Sequence, residues 1–221
     1  VSALGAVLFD MDGTLVDTEV LWWRTTEETA RGLGYALGDA DAPEVVGRAV
    51  ADTAAHLVRA SGAGDAAEVA AALTRDFFRR VDAGAPVRPG ARRLLAALEA
   101  EGVPFALVSA SPRVVVDSVV GGSLADVPFA FTVSADDTER TKPHPDPYRA
   151  AAARLGLVPG RCAAVEDSPD GAASAEAAGC GVLVVPSLLA VPASAARTFA
   201  ASLEEVTPDL LRRCLGAPAR A

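Results

Sequence analysis

Short apolar runs that do not alternate with polar residues recur along this chain, and most are followed closely by the chemistry that starts a helix. The runs are Leu4 to Phe9, Phe105 to Val108, Phe129 to Val133, Cys162 to Val165 and Val182 to Val185. A strand with one wet face alternates. An unbroken apolar strand has both faces covered, which is the condition of a parallel sheet between helices. The segments between the runs carry helix signals. Pro89 opens a helix reaching Ala100 and stopping at Gly102, with Leu94, Leu95 and Leu98 on one face. Ser111-Pro112 reads as an N-cap followed by proline at the first helical position. Asp146-Pro147 and Ser168-Pro169 start helices that end at Gly156 and Gly179. This alternation predicts an α/β chain with a doubly wound parallel sheet, Rossmann-like, whose ligands bind beyond the carboxyl ends of the strands.

Residues 17–84 break the pattern. Helical segments at 17–32, 50–60 and 66–81 follow one another with no convincing strand between them. They predict an all-helical domain inserted after the first strand, with Gly84, Ala85 and Pro86 as the return linker. The sheet core then comprises 1–16 and 85–221. The tail beyond 187 is less regular, with Thr207-Pro208 capping a short helix to Cys214.

Composition narrows the partners. Hydrophobic residues are 51% of 221, enough for a sizeable core. A net charge of −9 argues against a nucleic-acid binder, which needs a basic face, but not against a small anionic substrate met by one local positive cluster. Cys162, Cys180 and Cys214 have no metal-like or redox spacing, and no secretory signal or membrane-length apolar run is read, so the expectation is a cytoplasmic protein with no membrane partner. Oligomeric state is open, with a monomer favoured. Lys142 is the only lysine among 20 lysines and arginines.

Polar groups gather where the strands end. The first strand runs into Asp10-Met11-Asp12-Gly13-Thr14, the second into Ser109 and the fourth into Glu166-Asp167, while Lys142 sits on the loop entering the Asp146 helix. Parallel strand ends converge on one edge, so these groups can share a site. Ionised carboxylates about 4 Å apart repel by roughly 4 kcal/mol at an effective dielectric of 20. A divalent cation removes that penalty, and an all-oxygen donor set suits Mg²⁺ better than zinc. Ser109 and Lys142 supply a hydroxyl donor and a compact positive charge for a phosphoryl group.

The stretches "FDMDGTLVDTE", "SAS", "TKPHPDPY" and "EDSPDGAASAEAAG", in this order, together resemble the haloacid dehalogenase-like hydrolase superfamily. The likeness is to its phosphatase and phosphoglucomutase-like branch with a helical cap, and it extends to Pro186. The resemblance implies a Rossmann-like core and a cap that closes over the substrate. It implies Asp10 as a nucleophile forming an aspartyl phosphate, and Asp12 as the acid and base. Mg²⁺ would be held by Asp10, the backbone carbonyl of Asp12 and Asp167, with Glu166 beside it or bound to it. Ser109, Lys142 and backbone N–H groups of Met11, Asp12 and Ala110 would bind phosphoryl oxygens.

Departures from the branch narrow the activity. Asp12 sits where true dehalogenases lack an acid/base, which argues against carbon–halogen cleavage. The segment 17–84 has no lysine for Schiff-base chemistry. Trp22 stands where sugar phosphomutases of the branch carry a histidine. The expectation is therefore a Mg²⁺-dependent phosphomonoesterase acting on a small phosphorylated metabolite, with sugar phosphates one class. A phosphomutase and a non-catalytic phosphometabolite-binding protein are the alternatives. Arg48, after Gly47, and Trp22 are the candidate substrate contacts in the cap. His56, His144, Asp170, Thr14 and Asp17 read as structural.

Overall fold

A computed structural model of the chain describes residues 4–46 and 48–215. Contacts divide it into two compact units, Val1–Val16 with Pro86–Ala221 and Asp17–Ala85.

The first unit is built on six strands: β1 (Ala6–Phe9), β2 (Phe105–Val108), β3 (Thr132–Val133), β4 (Cys162–Glu166), β5 (Gly181–Val184) and β6 (Arg197–Phe199). All pairings are parallel, and the order is β3-β2-β1-β4-β5-β6. The expected α/β doubly wound sheet is thus observed. The order reverses direction at β1 and β4, and a crevice opens at the carboxyl ends of strands at such a switch point.

The helices, in chain order, are α1 (Thr18–Gly32), α2 (Ala42–Val45), α3 (Val50–Ser61), α4 (Ala66–Asp82), α5 (Ala91–Ala100), α6 (Arg113–Gly121), α7 (Asp146–Arg154), α8 (Pro169–Ala178) and α9 (Pro208–Cys214). Against one sheet face, α7 and α8 pack Ala151, Ala152, Ala172 and Ala175 onto Ala6, Leu8, Ala106, Ala164 and Val182. Alanines on both sides let the helices close on the sheet without gaps. Three aromatics stack edge to face: Phe9 on Phe105 at 6.3 Å, and Phe105 on Phe129 at 5.6 Å.

Helix starts follow the sequence in part. Ser168 caps α8 by accepting from the Gly171 amide at 3.1 Å, and Thr207 caps α9 by accepting from Leu210 at 3.2 Å. Ser111 does not cap α6. Pro112 holds that position, and the Ser111 hydroxyl is committed elsewhere. The helix expected from Pro89 begins at Ala91, after Gly90. The third strand shortens to Thr132–Val133, and β6 was not anticipated in the tail.

The second unit is helical throughout, from α1 to α4. Its core contains Trp22, Ala30, Val45, Ala54, Leu57, Val69 and Leu73. A polar hub sits within it. The buried Asp41 carboxylate accepts from Tyr35 Oη at 2.9 Å and the Gly38 amide at 2.9 Å, and His56 Nε2 lies 2.7 Å from Asp41 Oδ1. The Gly38 amide, followed by the Tyr35 and His56 contacts, holds Asp41 below the usual carboxylate range. His56 is structural in this specific sense: it ties α3 to the segment before α2.

Two tests follow from the packing. Gly90 has φ +84°, and a Cβ there would stand 2.4 Å from the Glu204 nitrogen and 2.5 Å from the Leu203 carbonyl carbon. Backbone cannot yield as a side chain can, so Gly90→Ala is expected to destabilise by about 2 kcal/mol or more in urea unfolding. Burial raises the Cys162 thiol to about 11 and the Cys180 thiol to about 12. At pH 8 only about one Cys162 in a thousand is then thiolate, the reactive form. Iodoacetamide is expected to spare both thiols in the native protein and to label them in urea.

Candidate active site

The site is a consequence of strand register. Phe9 stands opposite Leu107 of β2 and Val165 of β4. One residue further along, Asp10, Val108 and Glu166 therefore reach the same level on three adjacent strands. Side chains alternate in a strand, so Asp10 shares a face with Ala6 and Leu8, and Glu166 with Cys162 and Ala164. That is the face covered by α7 and α8.

The Lys142 ammonium meets this level from the loop before α7. Its Nζ donates to Asp10 Oδ1 at 2.6 Å, to Glu166 Oε1 at 2.6 Å and to the Val108 carbonyl at 2.8 Å. An ammonium has three protons, and here there are three acceptors. Burial alone lowers the lysine's proton affinity, but the Asp10 and Glu166 carboxylates outweigh it and raise the ammonium above the ordinary lysine range. Tyr148, on α7, is fully buried. Its ring centroid lies 5.3 Å from Nζ, and its hydroxyl donates to Glu166 Oε1. The sequence reading missed Tyr148. A tyrosine six residues after the lysine, on a helix packed against the sheet, is a signal only once the register is known.

Glycine makes room for the acids. A Cβ on Gly171 would stand 1.9 Å from Glu166 Oε2, and one on Gly13 would stand 2.0 Å from Asp167 Oδ2. Gly13 also holds φ +80°, so the turn after β1 demands glycine on both counts. The turn closes on the Met11 carbonyl, which accepts from the Leu15 and Val16 amides at 2.9 and 3.1 Å.

One oxygen of each of Asp10, Glu166 and Asp167 can be chosen so that all lie within 4.8 Å. Burial, with Glu166 and other acids adding, pushes Asp10 well above the usual carboxylate range, against the opposing pull of Lys142. Asp167 is pushed up to about 6 by burial and the Glu166 charge, against a hydrogen bond from Ser187. Asp10 Oδ2 is buried and has no hydrogen-bond partner. Such an atom is costly unless something electropositive reaches it. The donor set is all oxygen, with a free buried carboxylate oxygen and charge to neutralise, so it fits a hard divalent cation.

The remaining expected residues are placed as follows. Asp12 is outside that cluster. Its Oδ2 accepts from Ser109 Oγ at 3.1 Å and from Ser111 Oγ at 2.8 Å. Ser109 is fully buried at the end of β2, and Ala110, the next residue, is exposed. Trp22 is packed inside the helical unit. It meets Phe77 edge to face at 5.5 Å, and its indole N–H donates to the Val45 carbonyl at 2.9 Å. Packing thus accounts for the burial of Trp22. Arg48 is exposed, with Nε donating to the Pro43 carbonyl at 2.9 Å, and Gly47 lies outside the described residues.

Known proteins are similar to this chain in sequence and fold. The sequence profile of the haloacid dehalogenase-like hydrolases matches residues 4–179. Hexitol phosphatase A of Escherichia coli (strain K12) is 35% identical over 187 residues, which are 80% of this chain and 81% of the relative. CbbY from Rhodobacter sphaeroides, solved in complex with phosphate, is 27% identical with a TM-score of 0.71, over 91% of this chain and 96% of that one. A haloacid dehalogenase family hydrolase from Deinococcus radiodurans R1, with bound phosphate and sodium, is 28% identical with a TM-score of 0.78 over 100% of both chains.

Lys142→Met tests the charge balance. Its removal leaves Asp10 and Glu166 facing one another with no cation, so the metal-free protein is expected to lose about 3–5 kcal/mol in urea unfolding with EDTA. Mg²⁺ is expected to restore part of that loss, since it supplies the missing charge.

Proposed function

Because the chain belongs to the haloacid dehalogenase-like hydrolase family, which it matches over residues 4–179, we propose that it is a Mg²⁺-dependent phosphomonoesterase for a small phosphorylated metabolite. The observation that carries this reading is Asp10 Oδ2: a buried carboxylate oxygen, without a partner, on a residue whose other oxygen is held by a lysine. That is the state of a positioned nucleophile awaiting an electrophile.

Asp10 Oδ2 attacks phosphorus, and the bond to the leaving oxygen breaks as an aspartyl phosphate forms. Asp12 gives a proton to the leaving oxygen, then takes one from the water that hydrolyses the intermediate. Inorganic phosphate leaves and Asp10 is restored. Ser109 and the amides of Met11, Asp12 and Ala110 hold the phosphoryl oxygens, and Lys142 supplies positive charge beside them, reaching a phosphoryl oxygen only by giving up one of its bonds to Asp10, Glu166 or the Val108 carbonyl. Asp10, Asp167 and the Asp12 carbonyl, with Glu166 beside them, would hold Mg²⁺, which supplies positive charge against those oxygens.

A relative named hexitol phosphatase favours a sugar-alcohol or related sugar phosphate as substrate. The helical unit, inserted in the chain between β1 and α5, is the proposed cap domain, and the exposed Arg48 is its candidate for gripping the rest of the substrate. Against a phosphomutase, Trp22 offers only an indole N–H, already used by the Val45 carbonyl. Among the described residues no helix is long and apolar enough to cross a membrane.

Phosphate release from a panel of sugar, sugar-alcohol, nucleotide and small-acid phosphates, with Mg²⁺ or EDTA, tests the reading. Release should require Mg²⁺ and fall by about a thousandfold or more in Asp10→Asn. Equal silence of wild type and variant would sink hydrolysis, and isomerised sugar phosphates in the same panel would establish the mutase instead.

A further inference from the structure

Asp12 is held by two hydroxyls that are not equivalent. Ser109 Oγ donates to Asp12 Oδ2 at 3.1 Å and accepts from the Ser111 amide at 2.9 Å. Ser111 Oγ donates to the same carboxylate oxygen at 2.8 Å. A serine has a single hydroxyl proton. In the reaction proposed above, Ser109 gives that proton to a phosphoryl oxygen, so it cannot also serve Asp12 once substrate is bound. Ser111 faces no such competition in that scheme.

The backbone holds Ser111 ready for this task. Its N–H is spent on Ser109 Oγ, and its carbonyl accepts from the Ala135 amide at 3.0 Å. Its hydroxyl is not spent on the helix start that follows, because Pro112 is the N-cap of α6 and the first amide of the helix, Arg113 N–H, donates to Asp136 Oδ2 at 2.7 Å. Both ends of the residue are therefore pinned while the hydroxyl remains on Asp12.

We propose that Ser111 is a positioning residue that keeps the Asp12 carboxylate aimed after substrate has drawn Ser109 away. Ser109 binds Asp12 while the site is empty and phosphate when it is full, and Ser111 bridges the change. The two serines thereby divide between them what one could not do. Ser111 contributes to turnover and not to the grip on phosphate, because its partner is the proton carrier. This deepens the phosphatase reading and rests on it, since it takes Asp12 as the proton carrier and Ser109 as a phosphoryl donor.

The test is steady-state kinetics of wild type, Ser111→Ala, Ser111→Thr and Asp10→Asn on the best substrate of the panel, with inorganic phosphate as competing inhibitor. Losing one hydrogen bond to a charged group corresponds to a fall in kcat of roughly tenfold to a hundredfold for Ser111→Ala. KM and inhibition by inorganic phosphate should stay within about twofold, because the phosphoryl contacts are untouched. Ser111→Thr, which keeps the hydroxyl, should recover most of the rate. An unchanged kcat in Ser111→Ala overturns the proposal. So does a raised KM with weakened phosphate inhibition at constant kcat, which would make Ser111 a phosphate ligand. A threonine variant as slow as the alanine variant overturns it as well, since the hydroxyl would then not matter. Wild type that releases no phosphate, indistinguishable from Asp10→Asn, instead overturns the hydrolase reading and Ser111's part in it. Release that Ser111→Ala leaves intact removes this inference alone.

Discussion

The Lys142 ammonium, fixed by Asp10, Glu166 and the Val108 carbonyl, is the interaction on which the rest of the site depends. Those acceptors come from three neighbouring strands at one level, so their convergence is a property of the parallel register and not of any loop. A buried cation between two buried carboxylates is stable only if its remaining protons are also satisfied, and the third proton goes to a backbone carbonyl that has a free lone pair at the strand end. The same contact leaves the second oxygen of Asp10 without a partner. In the proposed reaction, structure and reactivity would have one cause: the lysine that makes it tolerable to bury Asp10 also fixes the carboxylate whose other oxygen it does not touch.

Such a site needs space that is shaped before it is filled. Gly13 and Gly171 lie against Asp167 and Glu166 so closely that any side chain would displace the carboxylates. Glu166 is further fixed by Tyr148 and by Ser168, whose Oγ lies 3.3 Å from Oε2. With lysine, tyrosine and serine around it, Glu166 serves the lysine's position at least as directly as it could serve a metal. Asp167, reached by Ser187 and facing the glycine turn, is the freer of the two acids.

Much of this was legible in the chain because the physics is local. Strands covered on both faces must be apolar without a break, and β1, β2 and β5 are, as is β4 up to Glu166. β6 escaped notice because Arg197-Thr198-Phe199 lies at the sheet edge, partly exposed, where no apolar run is required. The carboxylates and Ser109 could be found from strand ends, and Lys142 from the loop entering α7. Ser111 could not: serine before proline is the ordinary spelling of a helix start, and only in the fold does its hydroxyl turn back to Asp12. The packing of Trp22 was hidden in a related way. Its position in the chain suggested a role, while its large apolar body and single donor were already satisfied within the helical core.

The lone lysine shows how composition and geometry inform one another. A chain that uses arginine at almost every other cationic position has a mutational route to arginine at 142 as well. The geometry says why that route is closed. Three acceptors stand 2.6 to 2.8 Å from a single nitrogen, arranged around a point. A guanidinium spreads its five donors over a plane and suits a two-pronged partner, so it cannot bring three of them to one point. It is also bulkier, and the space beyond Nζ is occupied by the Tyr148 ring. A compact ammonium on a flexible stem meets these demands, which is a physical reason for lysine here in a chain whose other long basic side chains are all arginine.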